Sequence, residues 1–458
     1  MKLAARSLIA GPVLGGALGL ALHASGLDPA ICWTAAITLN TAIWWVFESL
    51  PVGPASLLPF AALPLAGVLT HREAAAALGD TVIVLLMAAF MLSKAIERSG
   101  LHERLALGMI RLLGGRGGSR AVLAFMVAAA LISMWVSNSA TTLMMTPIAL
   151  AVLARSGDAR LAVPLLLGVA YAASVGGVAT LIGTPPNLIF AGVYETLTGE
   201  EYGFLRWMQT GLPVAALSVP LMAWWLGRGL GSGTPMTVPT SGAWRGAERR
   251  VAWVFGLTIL AWITRENPLG GWAAWLGIEA AGESTVALVA VIVMFLVPDR
   301  EGGRLLDWQA AGNIPWNMLL LFAGGICIAR AFGESGLAAL IAESMQGLGH
   351  LHAFLLILGV CLVVTFLTEL TSNTATTTLL MPVLGAAAVG LDLPPQLLMI
   401  PAAISASCAF MLPVATAPNA IVYATEKLSI ARMSREGAVL NLIVAAVVAV
   451  VSYWTLVT

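Results

Sequence analysis

The sequence predicts an all-α polytopic membrane protein with about 11 transmembrane helices plus two re-entrant helical hairpins, built as two inverted-topology repeats. Three observations carry this. Hydrophobic residues make up 59% of the 458 residues and charged residues only 10%, against about 25% charged in an average soluble domain. The apolar stretches are continuous, whereas barrel strands alternate in segments of about ten residues. And one polar phrase occurs twice, half a chain apart: Ser137-Asn138-Ser139-Ala140-Thr141-Thr142 and Ser372-Asn373-Thr374-Ala375-Thr376-Thr377.

The crossings are expected near 7–25, 29–47, 54–69, 80–97, 162–195, 208–228, 251–265, 271–297, 316–333, 395–425 and 437–457. Lys2 and Arg6 ahead of the apolar run Ser7–Ala24 resemble a signal peptide, but further hydrophobic spans follow at once, so an uncleaved first span is expected. Two more apolar segments, near 120–154 and 352–390, are interrupted at their centres by the Ser-Asn phrases. As re-entrant hairpins they add no crossing. With the N-terminus inside, this arrangement puts 19 of the 23 basic residues on the cytoplasmic side and leaves only Arg72, Arg206, Arg265 and Arg330 outside, as the positive-inside rule requires. The first hairpin then opens from the cytoplasm and the second from outside.

The repeat extends beyond the Ser-Asn phrases. Lys94-Ala95-Ile96-Glu97-Arg98-Ser99-Gly100-Leu101 matches Arg330-Ala331-Phe332-Gly333-Glu334-Ser335-Gly336-Leu337 at an offset of 330 − 94 = 236. Ser137 to Ser372 and Pro147 to Pro382 are each 235, and Asn187 to Asn419 is 232. Five crossings per copy is an odd number, so the second copy is inverted and the two equivalent sites lie about a pseudo-two-fold axis near the midplane. The stretch Gly229–Gly242 reads as the linker between halves. Amphipathic segments follow each Ser-Gly-Leu. Leu101, Leu105, Met109, Leu112 and Leu113 share one face of the first; Leu337, Leu340, Ile341 and Leu348 share one face of the second. Lying along the membrane surface and being ordinary loop helices are the two readings of each, and their symmetric placement favours a shared structural role such as a brace.

Non-helical backbone at membrane depth persists where it lines a cavity or binds something. Breaks are expected at each hairpin tip and, mid-span, at Thr184-Pro185-Pro186-Asn187 and Thr416-Ala417-Pro418-Asn419, because proline lacks an amide donor. Each break creates a helix N-terminus that attracts an anion without any arginine. Each also leaves a carbonyl end which, with Ser, Thr and Asn oxygens, suits Na⁺. Ser/Thr/Asn can equally serve as interhelical glue, a reading that duplication with matched proline breaks disfavours. Glu369 is the most conspicuous acid, with a cation contact, a structural role in the hairpin or a solvated position all open. The four cysteines have no metal or redox spacing and are expected as buried thiols. The five histidines form no zinc motif, and a formal net charge of zero gives no argument for nucleic acid.

With these motifs, and with the run Met411-Leu412-Pro413-Val414-Ala415-Thr416-Ala417-Pro418-Asn419, the chain resembles the divalent anion/sodium symporter family over essentially its full length. The resemblance implies a homodimer in the cell (inner) membrane and an elevator-type transporter with a scaffold and a moving transport domain. Residues 1–117 and 231–350 would be scaffold; 118–230 and 351–458, each holding a hairpin and a broken helix, would be transport domain. It implies that Asn138, Ser139, Asn373 and Thr374 hold substrate carboxylates, with Thr416 nearby. One Na⁺ site would match Ser133, Ser137, Asn138 and Gly183, and its mate Thr368, Ser372, Asn373 and Ala415. The first motif departs from the family's Ser-Asn-Thr at Ser139, which keeps the hydroxyl and loses a methyl. Ala417 stands where many members have proline.

The function this implies is Na⁺-coupled symport of a C4-dicarboxylate such as succinate, malate or fumarate, with Na⁺ at two or more sites. A Na⁺-independent dicarboxylate exchanger and a citrate or sulfate symporter are the alternatives of the same fold. A channel or an intramembrane enzyme is the alternative class; no nucleophile–base pair or metal motif supports an enzyme.

Overall fold

The computed structural model describes residues 2–114, 118–156, 158–231, 242–266, 270–345 and 352–457. The described chain is all helical apart from one isolated bridge between Pro298 and Arg304. Among the described residues six helices are long and apolar enough to cross a membrane, including Phe204–Gly227, Trp316–Ser335 and Ile430–Val457. Shorter apolar helices make up the rest, including Ser119–Ser133, Glu283–Leu296 and Ala353–Thr368. Large apolar side chains cover the outside, for example Ile9, Leu65, Trp224, Trp253 and Trp454, as expected where lipid rather than water is the solvent. The helix Ala162–Val178 runs through the centre, nearly all of it buried.

Each Ser-Asn phrase sits at the turn of a helix pair. Ser119–Ser133 breaks and resumes as Asn138–Ser156; Ala353–Thr368 breaks and resumes as Asn373–Gly390. The serines start the second helix in both. Ser137 Oγ accepts the Ala140 amide at 3.3 Å and Ser372 Oγ accepts the Ala375 amide at 3.5 Å, the usual N-cap use of serine.

The spans drawn as 162–195 and 395–425 are both broken, as Ala162–Val178 then Pro185–Thr198, and Gln396–Ala406 then Ala417–Tyr423. The prolines do not sit at the point of rupture, as the sequence suggested. They occupy the first turn of the second half-helix, where a missing N–H costs nothing and φ is already helical. Unwound backbone precedes them, at 179–184 and 407–416. Thr184 and Thr416 are the extended N-cap residues, with φ/ψ of −144/145° and −142/151°.

The two surface segments are helical, Leu101–Leu113 and Leu337–Met345. In the first, Leu101, Ala106, Leu107 and Ile110 pack against the protein, while Leu105, Leu112 and Leu113 of the expected stripe are exposed. Those leucines therefore face away from the protein. In the second, Leu337 is buried and Leu340 and Ile341 are half-buried; Leu348 lies outside the described residues. Most of the Gly229–Gly242 linker does so too. All four cysteines are buried free thiols.

Candidate functional site

The two hairpin turns and the two unwound segments converge on one cavity of about 840 Å³. Ser137, Asn138, Ser139, Gly183, Ser372, Asn373, Thr374, Ala415 and Thr416 all line it. Ser133 and Thr368 do not; both are fully buried, one layer behind. From there each donates to the motif asparagine: Ser133 Oγ lies 2.7 Å from Asn138 Oδ1, and Thr368 Oγ1 lies 2.6 Å from Asn373 Oδ1.

Further bonds repeat between the halves. Thr142 Oγ1 donates to Asn138 O (2.8 Å) and Thr377 Oγ1 to Asn373 O (2.7 Å). Asn187 Nδ2 donates to Gly177 O and Thr180 O at 3.1 and 2.7 Å; Asn419 Nδ2 donates to Ala409 O and Leu412 O at 3.0 Å each. The carbonyls that accept from Asn187 stand 232 residues from those that accept from Asn419. The asparagine after the prolines is thus a clamp: its amide holds two carbonyls released where the first half-helix ends, groups that cannot stay unpaired away from water. Sequence reasoning used Asn187 and Asn419 only as repeat landmarks. The i−7 and i−10 spacing of the bonds, the same in both halves, becomes visible only in the folded chain.

These clamps narrow what remains to hold a cation. Gly177 O, Thr180 O, Ala409 O and Leu412 O are occupied, and Met134 O accepts Thr180 Oγ1 at 2.5 Å. Around Gly177 there is a cradle that a side chain would fill: a Cβ there would stand 2.6 Å from Asn138 Oδ1, 3.0 Å from Gly183 O and 3.2 Å from Thr184 Cβ. Asn138 Oδ1 and Gly183 O therefore both border this cradle, with Ser133 Oγ bonded to the asparagine oxygen. In the second half, Thr368 Oγ1 reaches both Asn373 Oδ1 and Ala406 O, the latter at 3.0 Å. One hydroxyl proton serves one acceptor at a time. Both clusters consist of neutral oxygens, a donor set that fits a hard monovalent cation. Among the described residues no cluster of three His, Cys, Asp or Glu is present.

The anion-attracting features are the four helix starts at Asn138, Pro185, Asn373 and Ala417; all four present the positive end of a helix dipole, while first-turn amides without a partner inside the helix belong mainly to Asn138 and Asn373, because Pro185, Pro186 and Pro418 have no N–H. Among the described residues Lys94 is the one basic side chain on the cavity wall, and it is paired with Glu97 at 2.8 Å.

Two features break the symmetry. Ser139 is half-buried, while Thr374 is buried. And the second unwound segment, 407–416, is longer than the first and has its own staple. Glu369 is 4% exposed, and its carboxylate accepts the amides of Phe410 (2.6 Å), Met411 (2.9 Å) and Leu412 (3.2 Å) and Asn441 Nδ2 (2.8 Å). Tyr171 Oη donates to Phe410 O at 2.6 Å and Ser434 Oγ to Met411 O at 3.0 Å. Of the three roles left open for Glu369, the structural one is what these bonds show. The equivalent position in the first half, 235 residues earlier, is Met134, which has no carboxylate to take up amides.

Comparison with known proteins agrees with this architecture. The sequence matches the citrate transporter (CitMHS) family over residues 42–396. It is 36% identical to the sodium-dependent dicarboxylate transporter SdcS of Staphylococcus saprophyticus, and 36% identical to SdcS of Staphylococcus aureus strain NCTC 8325. Both alignments cover 98% of this chain and 90% of the relative. The fold is similar to that of the Alcanivorax borkumensis YdaH transporter, whose crystal structure was described as having an unusual topology. Here the TM-score is 0.55 at 16% identity, over 80% of this chain and 84% of that one. These relatives are transporters, not enzymes, and the multi-pass helical chain that shares their sequence belongs to the divalent anion/sodium symporter family.

Proposed function

We propose that the protein couples Na⁺ to the symport of C4-dicarboxylates such as succinate, malate or fumarate across the cell (inner) membrane. The observation that carries this reading is the single cavity in which four helix starts and two neutral-oxygen pockets, one from each half, face one another. Helix N-termini can hold carboxylates, and adjacent carbonyl and hydroxyl oxygens can hold Na⁺. The names of the SdcS relatives support both the ion and the substrate class. In this reading Asn138, Ser139, Asn373, Thr374 and Thr416 bind the anion. Ser133, Ser137, Asn138 and Gly183 bind one Na⁺; Thr368, Ser372, Asn373 and Ala415 bind the other.

The helix pairs are re-entrant hairpins in inverted repeats, and the N-terminus is cytoplasmic. Residues 118–230 and 351–458 move as an elevator against a scaffold of 1–117 and 231–350 in a homodimer. The charged cavity residues Glu48, Lys94 and Glu97 and the neighbouring Asn313 all fall on the cytoplasmic side of the expected topology, which makes this conformation inward-open. On the other side Gly325 lies so close to Thr378 that a Cβ would clash with its methyl, in keeping with a closed outer side.

Two Na⁺ would only neutralise a dianion; a third would add about 2.3 kcal/mol per 100 mV of membrane potential. The test is uptake of labelled succinate into proteoliposomes with and without a Na⁺ gradient, with citrate and sulfate as competitors. Na⁺-dependent uptake is expected, and Asn138→Ala or Asn373→Ala should abolish it while the protein still purifies folded. Uptake that is unchanged without Na⁺ would instead point to an exchanger.

A further inference from the structure

We propose that Lys94 and Arg330 are a repeat-related pair of anion-guiding residues, each serving the substrate on one face of the membrane: Lys94 on the cytoplasmic side and Arg330 on the outer side. The inference rests on the transport reading above.

Lys94 stands on the cavity wall with Phe90, Ser93 and Glu97 of helix Thr81–Ser99. The other charged groups on that wall are acids: Glu48, Glu97 and Glu369. The Glu369 carboxylate is engaged by three backbone amides and Asn441. Any dianion leaving the site towards the cytoplasm therefore passes Glu48 and Glu97, and Lys94 supplies the one full positive charge that offsets them. A low-dielectric cavity focuses such a field.

The repeat separates this role from a plain ion pair. Lys94 and Glu97 are three residues apart and partly exposed, an arrangement that contributes little to stability. If the pair were the conserved element of the repeat, both members would recur 236 residues later. Arg330 keeps the cation, but the counterpart of Glu97 is Gly333. The positive charge recurs at the aligned position while its acid comes from a different place in each half, Glu97 on the same helix in one and Asp80 from outside the helix in the other. Arg330 is also one of just four basic residues on the outer side of the expected topology, against the general bias. It lies by the Glu73 carbonyl (3.2 Å) and the Asp80 carboxylate (3.6 Å).

The helix face next to Arg330 is covered in this conformation. Gly325 abuts Thr378 of the second hairpin, and Ile326 abuts Gly192 of helix Pro185–Thr198. These are the counterparts of Ala89 and Phe90, which line the open cavity. Movement of the hairpin and broken helix away from this face would uncover the stripe that ends at Arg330. The wall of the outward-open cavity would then carry its cation at the place equivalent to Lys94.

The measurement is the KM for labelled succinate from each face, using right-side-out and inside-out membrane vesicles with Na⁺ supplied on the succinate side. Lys94→Gln should raise the ratio of inner to outer KM by roughly three- to ten-fold at low ionic strength, and Arg330→Gln should lower it by a similar factor. Both effects should shrink in high salt, and the charge-keeping Lys94→Arg and Arg330→Lys should restore the wild-type ratio. A ratio unmoved by either glutamine variant, or one that the charge-keeping variants disturb as much, overturns the pairing while wild-type transport stands. If Arg330→Gln does not accumulate, Arg330→Lys against Lys94→Gln still decides the inner-face half. Wild-type vesicles that take up no succinate from either face would overturn the transport reading, and this inference with it.

Discussion

Replacing Glu369 by glutamine keeps the side chain's size and removes its charge where a carboxylate holds the unwound backbone of 407–416. Oε1 accepts three donors, from Phe410, Met411 and Asn441, and Oε2 accepts the Leu412 amide at 3.2 Å. No ion pair to Glu369 is present among the described residues, so the charge is stabilised by these donors alone. With a glutamine oxygen at the Oε1 position, the three bonds there fall from charge-assisted to neutral, a loss of about 1 kcal/mol each at most. The glutamine NH₂ then faces the Leu412 N–H, leaving a buried donor unpaired at about 1–3 kcal/mol. Part of this is recovered because the buried charge, itself costly, is gone. A net local loss of about 2–4 kcal/mol is expected, which corresponds to roughly 30- to 1,000-fold faster amide exchange. Hydrogen-exchange mass spectrometry on peptides spanning 407–416 reads this directly, with peptides from 119–133 as an internal control. Protection of 410–412 within three-fold of wild type would refute the assignment of Glu369 as the staple of this loop.

The clamps give a paired test. Asn187→Ala and Asn419→Ala each free two buried carbonyls, a cost of about 2–4 kcal/mol in local stability. Transport should fall at least ten-fold in either variant, and equal activity to wild type in both would remove the clamps from the working parts. Gly177→Ala places a methyl against Asn138 Oδ1 and the Gly183 carbonyl. The Na⁺ concentration for half-maximal uptake should rise about ten-fold or more, whereas Ala409→Gly, at the equivalent place in the second half, should shift it less than two-fold. Similar Na⁺ dependence in Gly177→Ala and wild type would show that this cradle holds no coupling ion.

Much of the site was legible because its cost is local. Hydroxyls and amides inside an apolar chain stand out in composition alone, and Ser137, Asn138, Asn373 and Thr416 could be named from a motif and its repeat. Where helices restart was less legible. Proline marks a break in sequence, but Pro185, Pro186 and Pro418 begin the second half-helix, because that is where a residue without an N–H fits. Which face of helix Leu101–Leu113 packs against the protein was not legible either. In a membrane protein apolar residues occur on lipid-facing and protein-facing sides alike, so a leucine stripe does not say which side it is on.

Taken alone, the sequence determined the membrane class, the two-fold repetition and the polar residues in each copy, since these depend on composition and spacing along one chain. The tertiary structure decided which of those oxygens remain open to a ligand. Asn187, Asn419 and Glu369 consume particular carbonyls and amides of the unwound segments, and Ser133 and Thr368 stand behind the cavity while their asparagines face into it. That division follows from the obligation of every buried backbone group to find a partner. The partner is chosen by which segments meet in space, 239 residues apart in the case of Tyr171 and the Phe410 carbonyl, and no periodicity records it.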